Sequence, residues 1–390
     1  MSTTRVILHL DLDAFFCAVE EIKDPGLRGK AFAVGGSPSG RGVVTSCSYP
    51  ARKMGVRSAM PASKALQLCP NLILVSRNHR DYGHYSKLVM DRLRTFTDQL
   101  EQISIDEAFL DITGLGSSPR QFGLSLQQTI MNEIKLPNSV GIASNKLVAK
   151  IATDVGKMAA GGDSPPNAIT IVPTGEEGAF LAPLPVDMLW GVGPKTKERL
   201  AVFSILTIGD LADYPEMELA NKFGKHGYDL SRRAKGIDQR GIVTERGIKS
   251  VSNERTFPQD LGRKSQLMEH IRKLSQQVSK RLQKKNLRGK TVQIKLRWSD
   301  FTTLTRQTTF PQTTNDYELI YKTAGKLLDQ VWEEGRRVRL IGVGVHKLDT
   351  DAQQLGLWDT GVQKDLKLQE TLQELKGKYG ENVINRGIKS

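Results

Sequence analysis

Residues 6–10 (VILHL) form a mostly apolar run too short for a helix, and they predict a buried strand. From Ala14 to about Ile22 the spacing turns helical. Residues 31–35 and 42–46 read as further strands around the loop GGSPSGRG, and a helix follows SYPARKMGV. Between Leu100 and Ile112, LEQISIDEAFLDI predicts two short strands joined by a tight connection. SVGIAS is another strand, and it leads into the helix NKLVAKIATDVGKM. Strands and helices that alternate in this way over about 165 residues imply an α+β or α/β core.

GGDSPPNA (161–168) is a loop rich in breakers. Residues 174–235 read as short helical segments without a strand, and RGIVTERGIKS (240–250) reads as a linker. The pattern then becomes regular. KSVSNERTF is a strand, and Leu267, Ile271, Leu274, Val278 and Leu282 make one helical stripe. Val292, Ile294, Leu296 and Trp298 alternate with Lys295 and Arg297, a strand with one apolar and one basic face. FTTLTRQTTF is a strand, DYELIYKTAGKLLDQVWEE a helix and RVRLIGVGVHKL a last strand. This β-α-β-β-α-β order is that of a ferredoxin-like split unit, with one sheet face left for a ligand. The final forty residues read as loosely attached.

Two places break the apolar pattern with carboxylates. The first is LHLDLDAFF. Asp13 stands immediately before the helical run, the favoured N-cap position, where it would contribute about 1 kcal/mol. Asp11 has no such role, and a bare carboxylate at the end of a core strand is costly unless it is paired or bound to a cation. The second is SIDEAFLD. Adjacent Asp106 and Glu107 would diverge on a straight strand but can face one site at a hairpin connection, whereas Asp111 reads as an exposed strand residue. Asp11, Asp106 and Glu107 on neighbouring strands would repel unless cations neutralise them, and hard oxygen ligands suit Mg²⁺.

Charge adds a partner class. The 390 residues hold 56 Lys and Arg against 42 Asp and Glu, a net charge of +14. Residues 249–350 alone hold 21 basic and 10 acidic residues, a net +11. So concentrated an excess favours a polyanion, nucleic acid before membrane. No apolar stretch approaches the length of a membrane-spanning helix, and the N-terminus lacks a signal-peptide layout. Cys17, Cys47 and Cys69 lack metal-ligand spacing and cannot all pair, which implies a reducing cytoplasm and no zinc.

LDLDAFFCAVEE, SYPARKMGV, SIDEAFLDI, GIASNKLVAKIA and LWGVGPKTKERL, in this order, resemble the Y-family translesion DNA polymerases, most closely the DinB or bacterial polymerase IV-type group. The resemblance covers about residues 5–350. It implies an α+β right hand with a ferredoxin-like palm (1–15 and 79–165), small fingers (16–78) and a helix–hairpin–helix thumb (166–236). A linker (237–248), a β-α-β-β-α-β little finger (249–350) and a tail (351–390) complete it.

By the same resemblance Asp11, Asp106, Glu107 and the Leu12 carbonyl hold two Mg²⁺ ions, with Mn²⁺ as a substitute, and Glu107 favours deprotonation of the primer 3′-hydroxyl. Asp13 is not a metal ligand in that family. Phe16 falls at the sugar "steric gate", whose ring leaves no room for a 2′-hydroxyl, and Phe15 beside it is a further substrate-binding position, packed in the palm. Tyr49, Arg52 and Lys157 fall where the family binds the triphosphate, although Lys157-Met158-Ala159-Ala160-Gly161 lacks the usual Lys-Pro-x-Gly. Gly191 and Gly193 would let thumb amides approach DNA phosphates. There, Lys197 replaces a small residue and Ser204 a glycine.

Lys295 and Arg297 are the matching duplex contacts on the little finger. No segment resembles a proofreading exonuclease, so low fidelity is implied. In the tail, Gln354, Leu355, Leu357 and Trp358 (QLGLW) are similar to the sliding-clamp peptide of bacterial polymerases, with Gly356 and Trp358 departing from the commonest residues. The implied protein is a cytoplasmic monomer acting on primer–template DNA and deoxynucleoside triphosphates. A nucleotidyl cyclase or a catalytically dead DNA binder are the other readings; the cyclase would lack the SYPAR, hairpin and basic segments, and the intact carboxylates speak against the dead relative.

Overall fold

The computed structural model describes residues 5–116, 118–350 and 371. Gln354, Leu355, Leu357 and Trp358 lie outside the described residues. The chain divides into two compact units after Gly247, at the end of the segment that reads as a linker.

In the first unit the strands are β1 (Ile7–Leu12), β2 (Phe32–Gly35), β3 (Val44–Cys47), β4 (Ile73–Ser76), β5 (Leu100–Gln102), β6 (Glu107–Asp111), β7 (Asn138–Ala143) and β8 (Ile169–Ile171). The larger sheet has the order β5-β6-β1-β7-β8, and the smaller one the order β3-β2-β4. The first helices are α1 (Phe15–Lys23), α2 (Tyr49–Lys53), α3 (Ala62–Leu68), α4 (His79–Arg94), α5 (Pro119–Ile134) and α6 (Lys146–Ala160). Five short helices follow: α7 (Glu177–Leu181), α8 (Pro194–Ala201), α9 (Ile208–Asp213), α10 (Glu216–Phe223) and α11 (Lys225–Ala234).

The period of two in β1 divides the sheet's contacts between two cores. Leu8, Leu10 and Leu12 pack with buried side chains of α1, α4 and α5, while Ile7 packs with those of α6. In β6, Ala108 and Leu110 join the first core and Phe109 the second. Asp11 pairs in register with Glu107, so both carboxylates leave the sheet on the α6 side. Gly141 lets α6 lie directly on β7: a Cβ there would meet the Ala149 carbonyl oxygen at 2.1 Å.

The second unit contains β9 (Ser250–Leu261), α12 (Lys264–Lys284), β10 (Leu287–Trp298), β11 (Thr303–Thr314), α13 (Tyr317–Asp329) and β12 (Val338–Thr350). The element order is the expected one. The sheet order is β11-β10-β12-β9 with every pair antiparallel. The α12 stripe is buried with Val292, Ile294, Leu296 and Trp298.

Candidate active site

Asp13 requires a correction. The residue before α1 is Ala14, in the left-handed region at φ 46°, and no side chain caps the helix. Asp13 is fully buried instead. Its carboxylate accepts hydrogen bonds from Ser139 Oγ at 2.9 Å and the Asn167 amide at 3.1 Å, and pairs with Lys157 at 3.2 Å. The left-handed turn at Ala14 separates the end of β1 from the helix, so Asp13 fastens the 161–168 loop rather than α1.

Asp106 ends the β5–β6 connection, and its carbonyl accepts from the Leu12 amide at 3.0 Å. Ser104 Oγ accepts from the Glu107 amide at 3.1 Å and donates to Asp106 Oδ1 at 2.5 Å. This tight turn brings Asp106 to the end of β1. A cleft of about 240 Å³ is lined by Asp11, Leu12, Phe15, Phe16, Arg52, Asp106 and Lys157 among others. Beside it a cavity of about 600 Å³ is lined by Tyr49, Arg52, Arg57 and Lys157.

The electrostatics of the cleft favour a cation. Burial pushes the Asp11 carboxyl up to about 7; Lys157 opposes this, and the Glu107 and Asp106 charges add to it. Lys157 Nζ donates to Asp11 Oδ1, and Lys150 Nζ donates to Glu107 Oε1 at 2.8 Å. Two ammonium groups thus stand on two of the three carboxylates. Among the described residues no three His, Cys, Asp or Glu groups are gathered closely enough to hold a metal ion as they stand. An all-oxygen donor set with repelling charges, neutralised by lysines, is nevertheless one that a hard divalent cation fits. Below the carboxylates, His9 Nδ1 lies 2.9 Å from Thr153 Oγ1. Burial, with Lys150 and Lys157 adding to it, holds this imidazole well below its usual range.

Phe15 is buried in the core. Phe16 stacks on Tyr82 with ring centroids 4.2 Å apart and planes 15° apart. The Tyr82 hydroxyl donates to Glu20 Oε1 at 2.7 Å, and Lys23 pairs with that carboxylate at 3.1 Å. The Phe16 ring therefore rests on a buried, anchored aromatic. The Arg52 guanidinium lies 4.6 Å from the Tyr49 ring centroid, and its Nε donates to the Cys47 carbonyl at 3.1 Å. Burial, and then the Asp13 charge, raises the Tyr49 phenol above its ordinary value.

Tyr82, Arg57 and Lys150 do not figure in the sequence reading. Arg57 follows SYPARKMG by a few residues, and its position beside Arg52 could have been sought there. For Tyr82 and Lys150 the sequence holds no local signal.

The loop at Gly191 leads from a 3₁₀ turn (Val186–Met188) to α8. Gly191 has φ 108°, a conformation that favours glycine, whereas Gly193 precedes α8 in extended backbone. No side chain caps α8, which begins at Pro194, a residue without an N–H. Lys197 pairs with Asp187 at 2.8 Å and ties the helix to the 3₁₀ turn. Ser204 takes the left-handed conformation, φ 58°, expected of the glycine it replaces. In the second unit Lys295 pairs with Glu254 at 3.0 Å, and Arg297 Nε donates to Thr303 Oγ1 at 2.8 Å. Both are partly exposed.

The chain has counterparts among solved Y-family DNA polymerases. A Dbh–Dpo4–Dbh chimera matches with a TM-score of 0.80 and 27% identity, over 88% of this chain and 99% of that one. The insertion ternary complex of Dbh DNA polymerase matches at 0.62 and 26%, over 88% and 99%. Residues 10–154 match the impB/mucB/samB family and residues 248–357 its C-terminal domain, and the chain belongs to this family. It is 38% identical over 387 residues to the DNA polymerase IV of Dehalococcoides mccartyi (strain ATCC BAA-2266 / KCTC 15142 / 195), covering 98% of this chain and 97% of that one. It is 40% identical over 352 residues to the DNA polymerase IV of Listeria monocytogenes serotype 4a (strain HCC23), covering 89% and 96%.

Proposed function

We propose that this chain is a template-directed translesion DNA polymerase that adds deoxynucleotides to a primer 3′-hydroxyl. The observation that carries the reading is the cleft in which Asp11 and Asp106 meet Phe16, Arg52 and Lys157, within a chain whose relatives are DNA polymerases. The enzyme depends on divalent metal; we assign two Mg²⁺ ions, with Mn²⁺ as a substitute, to Asp11, the Leu12 carbonyl, Asp106 and Glu107. When bound, such ions neutralise the charge that develops on the attacking and leaving oxygens. Glu107, at the primer-side metal, favours deprotonation of the 3′-hydroxyl. Tyr49, Arg52 and Lys157 orient the triphosphate, Arg52 by forked bonds to phosphate oxygens. Phe16, backed by Tyr82, excludes a 2′-hydroxyl.

In this reading residues 1–15 and 79–165 are the palm, 16–78 the fingers, 166–236 the thumb, 237–248 the linker and 249–350 the little finger. The amides around Gly191 and Gly193 grip primer–template phosphates, as do Lys295 and Arg297 once Glu254 and Thr303 release them. The tail residues Gln354, Leu355, Leu357 and Trp358 take a sliding clamp. No described helix is long and apolar enough to cross a membrane, and Cys17, Cys47 and Cys69 are buried and unpaired. The free thiols support a cytoplasmic location, and we assign a monomer.

The purified chain is expected to extend a primer on a template with Mg²⁺, to stop when EDTA is added and to resume when Mg²⁺ is restored. Extension that persists in excess chelator would overturn the metal assignment, and no extension with any divalent ion would overturn the polymerase. Phe16→Ala is expected to raise ribonucleotide relative to deoxynucleotide incorporation by about tenfold to a hundredfold, read as a ratio of kcat/KM values. An unchanged ratio would leave Phe16 a packing residue only.

A further inference from the structure

Lys150, Asp154 and Lys157 follow one another at intervals of four and three residues on α6, and so share one helix face. That face covers the strand ends bearing Asp11 and Glu107. Lys157 is accounted for as a triphosphate ligand, but Lys150 and Asp154 are not. Lys150 Nζ lies 2.8 Å from Glu107 Oε1, with side chains 18% and 21% exposed. Asp154 is half-buried, feels the charges of Lys150, Lys157 and Glu107, and among the described residues makes no hydrogen bond or ion pair.

A half-buried carboxylate without a partner, one turn from a lysine that has chosen another acceptor, is costly unless the lysine comes to it in some state. Lysine four residues before an aspartate is the weaker orientation of such a helical pair, so Glu107 holds Lys150 while no other cation competes. A divalent cation at Glu107 repels the ammonium group, and Asp154 is the acceptor within one helical turn.

We propose that Lys150 is a displaceable counter-ion for Glu107: it holds that carboxylate in the metal-free enzyme, shifts to Asp154 when a divalent cation binds, and so sets the affinity of the site. The proposal rests on the reading of Glu107 as a cation ligand. Lys150 and Asp154 are positioning residues; neither touches the reacting atoms. The pair lets the carboxylate cluster stay folded without metal and keeps the cation exchangeable.

The test is Mn²⁺ binding to the full chain without DNA or nucleotide, followed by the electron paramagnetic resonance signal of free Mn²⁺. Lys150→Met is expected to bind Mn²⁺ about fivefold more tightly, the size of effect for a partly exposed ion pair. Asp154→Asn is expected to bind about threefold more weakly, because Lys150 then has no second acceptor. In the Lys150→Met background Asp154→Asn should change nothing. Glu107→Gln should weaken binding and abolish the gain from Lys150→Met.

Unchanged affinity in Lys150→Met, with weaker binding in Glu107→Gln, would overturn the counter-ion and leave the Glu107 assignment standing. Unchanged binding in Glu107→Gln would overturn that assignment itself. Equal weakening by Asp154→Asn in both backgrounds would show that Asp154 acts on the cation by its own charge, and would overturn the pair. Lys150→Gln serves in place of Lys150→Met if the latter fails to fold.

Discussion

Asp106→Asn is expected to lower single-turnover primer extension by about a thousandfold or more, while primer–template affinity stays near that of the parent. The substitution is nearly isosteric and removes one charge. The turn should survive it, because the Asp106 carbonyl still accepts from Leu12 and the Ser104 hydroxyl still accepts from the Glu107 amide. The groups proposed to grip DNA lie on the thumb loop and the second unit, away from this turn in sequence, and most such contacts go to phosphates. Fluorescence anisotropy with labelled primer–template, beside rapid-quench kinetics, separates the two effects. Activity within tenfold of the parent would remove Asp106 from the reacting site; equal losses of binding and rate would assign it a structural role.

The largest effect on stability is expected at Glu101. This carboxylate is 1% exposed, and Lys146, which is 4% exposed, donates to it at 2.8 Å. It also accepts from the Val243 amide at 2.9 Å and from Arg246. Burial pushes the Glu101 carboxyl up, but the bonds from Lys146 and Val243 outweigh it and hold it below its ordinary value. Glu101→Gln leaves Lys146 charged and buried without a counter-charge, a change that costs about 3–5 kcal/mol. Glu101→Leu combined with Lys146→Met removes both charges and is expected to recover most of that loss. Denaturant unfolding of the three chains measures both. A loss below about 1 kcal/mol in Glu101→Gln would mean that water reaches Lys146 in the folded protein.

The alternation along β1, which puts Asp11 on the face of Ile7 and His9, is legible in the sequence because a period of two determines it; its pairing with Glu107 on a strand 96 residues away is not. The alternation along β10 is legible for the same reason. Asp13 is not, since its partners Ser139 and Asn167 stand 126 and 154 residues away, and local spacing speaks for a cap. Lys150 reads as an ordinary helix-surface lysine until Gly141 allows α6 to lie on β7. Tyr82 belongs to α4, HRDYGHYSKLVMDRLR, which is too polar to announce that one ring of it lies beneath Phe16. β8 is three residues long, too short to show a period. What depends on neighbours in sequence is readable; what depends on neighbours in space is not.

The strand order of the second unit has a consequence for biosynthesis. β9 is the first strand of that unit to be made, yet among the described residues its only neighbour in the sheet is β12, the last. At about 5–20 residues per second, β9 waits several seconds while residues 262–337 are made, with α12 to cover its apolar side chains but no strand to pair with. β12 also supplies the second neighbour of β10, so its arrival closes the sheet in one step. A message truncated before Val338 would release a chain in which the edges of β9 and β10 that β12 covers are both unpaired, a template for aggregation. The same message truncated just after Thr350 would release a chain in which β12 covers both.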